Sequence, residues 1–425
     1  MIMAGVLIAT AMPVLAQGIL RGHGGPVRAL AVGTAAREFV SGSFDSAVIV
    51  WDLQRNAAKR VLRFHDGAVN AVATLPGGCI ASGGEDNRIA IWCGEAGKPA
   101  HVLEGHEAKV TSLAVLEGGK VLASGSFDRT VRVWDLPAGS ASRVLTEHPG
   151  PVTSLASSVD GRGVVSGDME GNVRHSRIGV DAGPSPLALG TPVTALVVAP
   201  DGELILAGAD GQLRFSRPGE AIAEIEVETI PLASLALSPD GKLIATAGLR
   251  GGIAIVERAS RKILHRLTGP GLPVWSLVFD TGDSSLLSGG ADRVIRRWDA
   301  TGGVAISSAL PERDIVAEAV ASGERGAQVF RACQACHTLS RDDGNRAGPS
   351  LHGIFGRRIG TAPGYVYSDA LPRLGIVWNR ETIARLFEVG PTAYTPGTKM
   401  PEQTITDPAD RLALVEWLER VTASR

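Results

Sequence analysis

Short runs of alternating apolar and polar residues fill the larger, N-terminal part of the chain. Residues 47–51 read AVIVW and residues 130–134 read TVRVW, a spacing of two that is typical of β-strands. Turn dipeptides such as Asp160-Gly161 and Asp201-Gly202 separate these runs. From Glu324 onward the spacing becomes helical, ending in an amphipathic segment over residues 407–424. The pattern predicts an all-β domain followed by an all-α domain.

The strands belong to a repeat of about 40 residues. The first copy has His23, Ser41, Asp45 and Trp51, with Asp six residues before Trp. Further copies contain His65, Ser82, Asp86 and Trp92; His106, Ser124, Asp128 and Trp134; and, without a histidine, Ser288, Asp292 and Trp298. The first strand of each copy opens on an apolar residue, at Val27, Val69, Val110, Val152, Val193, Leu232 and Val274. We therefore expect seven copies over residues 17–310.

This pattern resembles the WD-repeat family, which implies a seven-bladed β-propeller. A single four-stranded blade cannot bury both of its faces, so the blades stack radially into a closed ring. In that family the His, Ser, Asp and Trp of one copy form a hydrogen-bonded chain. The resemblance therefore implies structural roles for His23, His65, His106 and His148. Ser176 and Ser216 replace the tryptophan of the fourth and fifth copies, and we expect those two blades to be held by packing alone.

The strand that completes the last blade has two candidates, residues 18–21 at the N-terminus and residues 303–307 after the last repeat tryptophan. Both compete for one sheet edge. We favour the N-terminal strand, because the family usually closes its ring in that way.

Cys79 and Cys93 fall on the second and third strands of the second copy. A cross-strand disulfide between them is compatible with an oxidising compartment. Two unpaired thiols are equally compatible, since hairpin pairs often have the wrong geometry for a disulfide.

The C-terminal domain contains Cys333-Gln-Ala-Cys336-His337, the attachment motif of c-type haem. Two thiols one helical turn apart can add to the two haem vinyl groups, and the adjacent histidine is then held under the iron. A zinc site would need a second ligand pair at matching spacing, and a thioredoxin-like pair would need a βαβ context; neither accompanies this motif. We predict one covalently bound haem c.

From Gly323 onward the chain resembles the class I cytochromes c, and closely the mitochondrial type. The matching segments are 348–357, 362–370, 376–378 and 394–400, in the same order. The resemblance implies that Cys333 and Cys336 form the thioethers and that His337 and Met400 are the axial ligands. It also implies that the Pro349 carbonyl orients His337.

The same resemblance implies further contacts with the haem. Arg357, Tyr367 and Trp378 match residues that hold haem propionates, and Thr398 is expected to hydrogen-bond near the haem. All of these residues follow Gly323. We therefore expect this domain to bind haem independently and the propeller to leave the intrinsic potential unchanged.

The haem domain departs from the family pattern in the residues expected around the methionine ligand. Leu371 stands in place of an asparagine, and Leu386 or Phe387 stands in place of a tyrosine. Residues 401–404 (PEQT) replace the usual phenylalanine stretch. We expect a drier pocket.

The family docks its partners through lysines around the haem edge. Lys399 is the one lysine of this domain. We expect at most a weak basic rim, formed by Arg331, Arg341, Arg346 and Lys399, that steers acidic partners modestly.

The N-terminus is apolar from Ile2 to Leu15, with Val14 and Ala16 preceding a cleavage point before Gln17. This is a signal-peptide pattern that lacks a basic n-region; a buried first strand and an uncleaved anchor are the alternatives. We expect a signal peptide over 1–16, the propeller over 17–310, a linker over 311–322 and a cytochrome c domain over 323–425. The expected location is the periplasm, and the processed protein is not expected to be an integral membrane protein.

Composition and charge narrow the function further. The net charge of −2 argues against a general nucleic-acid binder, which would carry a strong basic excess. The favoured function is single-electron transfer by a non-catalytic carrier whose propeller docks redox partner proteins. One alternative is a multidomain oxidoreductase in which the propeller holds a substrate site and the haem relays electrons. The other is a haem-based sensor.

Overall fold

The computed structural model describes residues 19–34, 37–95, 97–136, 142–180, 187–281, 285–306, 315–334, 336–339, 348–363, 365, 367–368, 370–398, 400 and 402–423. The segment predicted as a signal peptide lies outside the described residues. The described residues form seven antiparallel sheets followed by a helical domain, which confirms the predicted fold class.

Each sheet is one blade, and blades 1 to 7 are numbered by their first strand. Blades 1 to 3 are β2–β5 (Val27–Val32, Glu38–Ser43, Ala47–Asp52, Ala57–Arg63), β6–β9 (Val69–Leu75, Cys79–Gly84, Ile89–Trp92, His101–Leu103) and β10–β13 (Val110–Leu116, Val121–Ser126, Thr130–Asp135, Ser142–Glu147). Blades 4 to 6 are β14–β17 (Val152–Ser157, Gly163–Asp168, Asn172–Arg177, Leu187–Ala188), β18–β21 (Val193–Val198, Leu204–Gly208, Gln212–Ser216, Ala223–Glu226) and β22–β25 (Leu232–Leu237, Leu243–Gly248, Ile253–Glu257, Lys262–Leu267). Blade 7 combines β26–β28 (Val274–Phe279, Leu286–Gly290, Val294–Asp299) with β1 (Ile19–Arg21) and β29 (Val304–Ala305).

Neighbouring blades approach closely where the first strand of one blade meets a glycine of the blade before it. A Cβ atom placed on Gly42 of blade 1 would lie 2.6 Å from Val69 of blade 2. The same contact closes the ring, because a Cβ on Gly289 of blade 7 would lie 2.6 Å from Val27 of blade 1. The opening valines and the glycines of the repeat are therefore a packing pair, and the valines are fully buried.

The repeat histidines hold the blades together internally. In blade 1, Nε2 of His23 lies 2.6 Å from Oγ of Ser41, which also accepts a hydrogen bond from Nε1 of Trp51 at 2.7 Å. Nδ1 of His23 lies 3.0 Å from Asp45. Blades 2 and 3 repeat this chain with their own His, Ser, Asp and Trp.

The expectation that blades 4 and 5 are held by packing alone is wrong. In blade 4, His148 still lies 2.7 Å from Ser166 and 3.0 Å from Asp168. Having Ser176 in place of the tryptophan removes only the hydrogen bond that a tryptophan would donate to the serine. Blade 5 lacks the repeat histidine, and Arg214 forms ion pairs within the blade instead. Its guanidinium donates to Asp210 at 2.5 Å and to Glu224 at 2.8 Å.

Both candidate closing strands pair with the outer edge of β28. The N-terminal strand β1 pairs with residues Val294 to Arg296, and β29 pairs with Trp298 and Asp299. The expectation that the two compete is therefore wrong, because each is too short to occupy the whole edge. Leu20 of β1 is 1% exposed and Val304 of β29 is 57% exposed, so β1 contributes the buried closure.

Cys79 and Cys93 form a disulfide that joins the start of β7 to the residue after β8. This bond lies within blade 2, so it links two strands that are already hydrogen-bonded to each other.

The helical domain contains α1 (Ile315–Ala321), α2 (Arg325–Phe330), α3 (Arg380–Val389), α4 (Pro391–Tyr394) and α5 (Pro408–Thr422), with a 3₁₀ helix over Leu371–Leu374. Helices α2 and α5 cross at Gly326, where a Cβ would collide with Ala413 and Trp417 of α5. The Phe330 and Trp417 rings pack 5.1 Å apart at this crossing. The terminal helix therefore packs on the first haem-domain helix as predicted, and the crossing includes this glycine and this aromatic pair.

The segment assigned to a linker, residues 311–322, contains helix α1. Its Val316 and Ala319 are buried in the core of the helical domain. The packed domain therefore begins before Gly323.

Candidate haem site

One cavity of the helical domain is lined by all four side chains that the sequence assigns to haem attachment and iron ligation: Cys333, Cys336, His337 and Met400. The cavity encloses about 1160 Å³ of empty space, including its open mouth. Its inner wall is apolar and includes Phe330, Ile383 and Leu414. Such an apolar lining with a few polar groups is the composition of a site for a large, mostly apolar cofactor.

The attachment segment follows α2 as a continuing helical turn. The N–H of Cys333 donates to the Phe330 carbonyl at 2.8 Å, and the N–H of His337 donates to the Cys333 carbonyl at 3.0 Å. This turn brings both thiols and the imidazole to the same wall. Neither cysteine is in a disulfide. Burial raises the pKa of the Cys333 thiol to about 12, and the nearby Cys336 shifts it in the same direction.

The His337 ring is held by the segment that follows it in the cavity wall. Its Nδ1 lies 2.8 Å from the Pro349 carbonyl oxygen, so Nδ1 carries the proton and Nε2 carries the lone pair. A Cβ on Gly348 would collide with the imidazole, which shows how closely the backbone approaches the ring. The imidazole is therefore oriented as an iron ligand requires.

The Met400 side of the cavity is held by backbone contacts. The N–H of Met400 donates to Oγ1 of Thr398 at 3.1 Å, and the N–H of Thr398 donates to the Thr395 carbonyl at 2.9 Å. After the methionine, Glu402 accepts from the N–H of Thr392 at 3.1 Å. Thr398 lines the cavity, and its hydroxyl positions the ligand loop.

The three predicted propionate residues, Arg357, Tyr367 and Trp378, also line this cavity. Arg357 donates to the carbonyls of His352 at 3.1 Å and Ser350 at 2.7 Å, which fixes its guanidinium. Burial lowers the pKa of Arg357, while Tyr367 opposes that shift. Burial raises the pKa of Tyr367 to about 12, so its phenol is a neutral donor.

The residues that depart from the cytochrome c pattern form part of the apolar wall. Leu371, Leu386 and Phe387 are all buried and all line the cavity. They offer no side-chain hydroxyl or amide on which a water could be held.

The predicted basic rim falls mainly on residues that the structure does not describe. Arg331 is exposed at the C-terminal end of α2. Arg341, Arg346 and Lys399 lie outside the described residues.

Among the residues of the cavity wall that sequence reasoning missed are Tyr365 and Arg63. Tyr365 lies in the segment 362–370 that matches the cytochromes, but its neighbour Tyr367 was assigned instead. Arg63 comes from blade 1 of the propeller, whereas all the residues that the sequence assigns to the cavity follow Gly323. No signal in the repeat marks Arg63, because its position in the blade is an ordinary strand end.

The donor set fits a c-type haem. Two cysteines that form no disulfide, an oriented imidazole and a thioether line one cavity, and arginine, tyrosine and tryptophan line it as well. The two cysteines would form the thioethers, and the histidine and the methionine would ligate the iron. The arginine, tyrosine and tryptophan would make polar contacts with the haem propionates. Within the described residues, none of the helices is long and apolar enough to cross a membrane.

A WD-repeat propeller joined to a small helical haem domain is the class of protein that this fold and cavity define. The family model of the WD domain with G-beta repeats matches residues 16–52, 57–93, 97–135, 139–175, 188–215 and 261–299. The cytochrome c family model matches residues 323–422.

Single-domain cytochromes c match the C-terminal region. The chain is 44% identical over 100 residues to a cytochrome c of Cochliobolus lunatus, covering 23% of this chain and 92% of that protein. It is 43% identical to one of Arabidopsis thaliana, covering 23% and 88%, and 41% identical to one of Gibberella zeae, covering 23% and 93%. The chain therefore belongs to the WD-repeat family through its N-terminal domain and to the cytochrome c family through its C-terminal domain. These relatives imply a covalently attached c-type haem.

Proposed function

We propose that this protein is an exported single-electron carrier with one haem, bound through Cys333 and Cys336 and ligated by His337 and Met400. The main support for the proposal is that these four side chains line the same apolar cavity. A bound c-type haem supplies the one-electron couple of its iron, and histidine–methionine ligation raises the potential of that couple.

The residues of the chain position and shield this cofactor. The Pro349 carbonyl holds Nδ1 of His337, and Thr398 holds the backbone of Met400. Leu371, Leu386 and Phe387 exclude water from the methionine side, which lowers the local polarity and keeps the iron ligands in place. These roles need no substrate site, as expected for a carrier.

The propeller serves in this proposal as a scaffold that docks a redox partner protein. WD repeats form a rigid ring, and each buried His–Asp pair of blades 1 to 4 fixes a turn at one end of its blade. Export is supported by the signal-peptide pattern of residues 1–16 and by the Cys79–Cys93 disulfide, since disulfides persist in oxidising compartments such as the periplasm.

The haem assignment is tested by expressing the full chain in a host that exports and matures c-type cytochromes. We expect the protein to appear in the periplasmic fraction, with haem that stays on the polypeptide in acid–acetone. Haem that extracts freely, or protein found only in the cytoplasm, would contradict the corresponding part of the proposal.

Ligation is tested with single variants of the same full chain. Met400→Ala should remove the weak red absorption typical of Fe(III)–methionine ligation, while keeping covalent haem. His337→Ala should abolish haem incorporation. Thr404→Ala, on the same loop but outside the cavity wall, is the control and should keep the red band. A red band that persists in Met400→Ala would show that another residue is the ligand.

A further inference from the structure

A propeller residue forms part of the haem cavity wall. Arg63 is the last residue of β5, the outer strand of blade 1, yet its side chain lines the cavity together with Cys336 and Tyr365. The cavity is therefore completed across the junction of the two domains.

The Arg63 guanidinium is held from both domains. Its Nη1 donates to the Asp45 carbonyl of blade 1 at 3.3 Å, and the guanidinium also donates to the phenol of Tyr365 in the helical domain. Asp45 is itself fixed, because its carboxylate lies 3.0 Å from Nδ1 of His23 and accepts from the N–H of Gly24 at 2.6 Å. The hydrogen-bonded chain of blade 1 thus continues into the wall of the cavity.

A second contact fixes the propeller against the attachment site. A Cβ on Gly24 would lie 2.6 Å from Sγ of Cys336, so the blade 1 backbone packs directly on this cysteine. Arg63 and Gly24 are both tied to Asp45. The positive charge of Arg63 is therefore held at a defined place beside the Cys336 side of the cavity.

Arg63 lies at the end of a row of polar side chains along one wall. It bonds Tyr365, the Tyr365 and Tyr367 rings are 4.8 Å apart, and Tyr367 interacts electrostatically with Arg357. Two guanidinium groups and two phenols on one wall suit an anionic ligand group, and guanidinium groups favour carboxylates. The propionates are the carboxylates of a haem.

We propose that Arg63 is a haem-site residue supplied by the propeller, which with Tyr365 contacts a haem propionate and adds a fixed positive charge to the haem environment. This inference rests on the haem site proposed above. A positive charge near the iron disfavours the oxidised state, which carries one more positive charge than the reduced state. Asp45 adds its own negative charge nearby, but this charge is the same in all the variants below, so their differences report the charge of Arg63.

The test compares full-length holoprotein variants by potentiometric titration. In Arg63→Gln, the ratio of reduced to oxidised protein at a fixed potential should fall about threefold to tenfold, where tenfold corresponds to about 59 mV for one electron. Arg63→Lys retains the charge and should recover at least half of that shift, measured on the logarithmic scale. Arg55→Gln removes the same charge from the same blade, at an 83% exposed position in the turn before β5, and should leave the ratio unchanged.

Tyr365→Phe provides an independent variant if Arg63→Gln does not fold. It keeps the ring but removes the phenol that bonds Arg63, so the ratio should fall in the same direction. The double variant should show less than the sum of the two single effects, because both act on one contact. A structural role alone would not move the potential.

The inference is overturned if Arg63→Gln retains covalent haem and the red methionine band and its potential is unchanged. If only Tyr365→Phe folds, the same result for that variant overturns it. It is also overturned if Arg55→Gln shifts the potential as much as Arg63→Gln, because the effect would then be one of net charge. Absence of covalent haem from the unaltered protein would instead contradict the proposed function.

Discussion

At the scale of single residues, the histidines of this protein have two roles that differ in their partners. His23, His65, His106 and His148 each lie between an Asp and a Ser of their own blade, with both ring nitrogens engaged. His337 instead places Nδ1 against a backbone carbonyl and lines a cavity that also contains a methionine. The repeat histidines therefore stabilise the blades, whereas His337 forms part of the wall of the haem cavity.

Gly348 is predicted to be essential for the orientation of His337. In Gly348→Ala the added methyl group would collide with the imidazole, so the ring must turn away from the Pro349 carbonyl. We expect a large decrease in covalently loaded protein, measured as haem per polypeptide after export.

The control for this prediction is Gly375→Ala. Gly375 has a φ of 68° and no atom within 4 Å of the added methyl group, so the change costs about 1–2 kcal/mol in backbone strain without touching the cavity. Equal haem loss in both variants would show that general stability, and not the imidazole, limits loading.

His148 is predicted to make blade 4 sensitive to acid. Burial lowers the pKa of His148 from 6.5, even though Asp168 opposes the shift. A histidine that binds fewer protons when folded than when unfolded lowers the free energy of unfolding as pH falls below about 6.5. Hydrogen exchange in blade 4 should therefore accelerate between pH 7 and pH 5, after correction for intrinsic exchange.

His148→Gln tests the cause of this pH dependence. It should lower the free energy of unfolding by about 1–3 kcal/mol at pH 7, because two buried partners lose a hydrogen bond. It should also flatten the dependence on pH, since the titrating ring is gone. An unchanged slope would assign the acid sensitivity to other groups.

At the scale of elements, the edge of β28 shows how a ring is closed by two short strands. The N-terminal strand β1 pairs with one half of this edge and β29 with the other half. Only β1 carries a fully buried side chain, Leu20. Both strands therefore pair with β28, but only β1 contributes a buried side chain to the core.

This difference predicts unequal effects of matched truncations. Leu20→Ala should lower the free energy of unfolding of the propeller by about 2–5 kcal/mol, because it opens a cavity in the core. Val304→Ala, at an exposed position of β29, should stay within about 0.5 kcal/mol of the unaltered protein. Denaturant titration followed by far-UV circular dichroism measures both, and a comparable loss in the two variants would contradict the assigned role of β1.

At the scale of the whole molecule, two folded units meet at a small junction near the haem cavity. Neighbouring blades pack on one another around the ring, and α1, α2, α3 and α5 form the core of the helical domain around the cavity. Val316 of α1 is 3% exposed within that core. The stable haem unit should therefore include α1.

Two exported fragments test this domain boundary. A haem-loaded fragment 313–425 should be more stable to denaturant than fragment 323–425 by about 2 kcal/mol, the contribution of burying one valine side chain. A propeller fragment 17–310 should fold on its own as a colourless all-β protein, since each blade packs on its neighbours. Equal stability of the two haem fragments would place the boundary at Gly323.

The sequence by itself determined the seven repeats, the strand openings and several of the residues that line the cavity of the helical domain. Each of these depends on a local spacing: a period of two along a strand, about 40 residues between blades, and one helical turn between Cys333 and Cys336. Because local geometry dictates these spacings, they are visible without knowledge of the rest of the chain.

Only the tertiary structure decided the sharing of the β28 edge, the burial of α1 in the haem domain, the Cys79–Cys93 bond and the entry of Arg63 into the haem cavity. Each of these depends on where separate segments meet in space. The contact of Arg63 with Tyr365 joins residues from two domains, and no periodicity or motif encodes such a contact. The packing of blade 1 against the helical domain produces it.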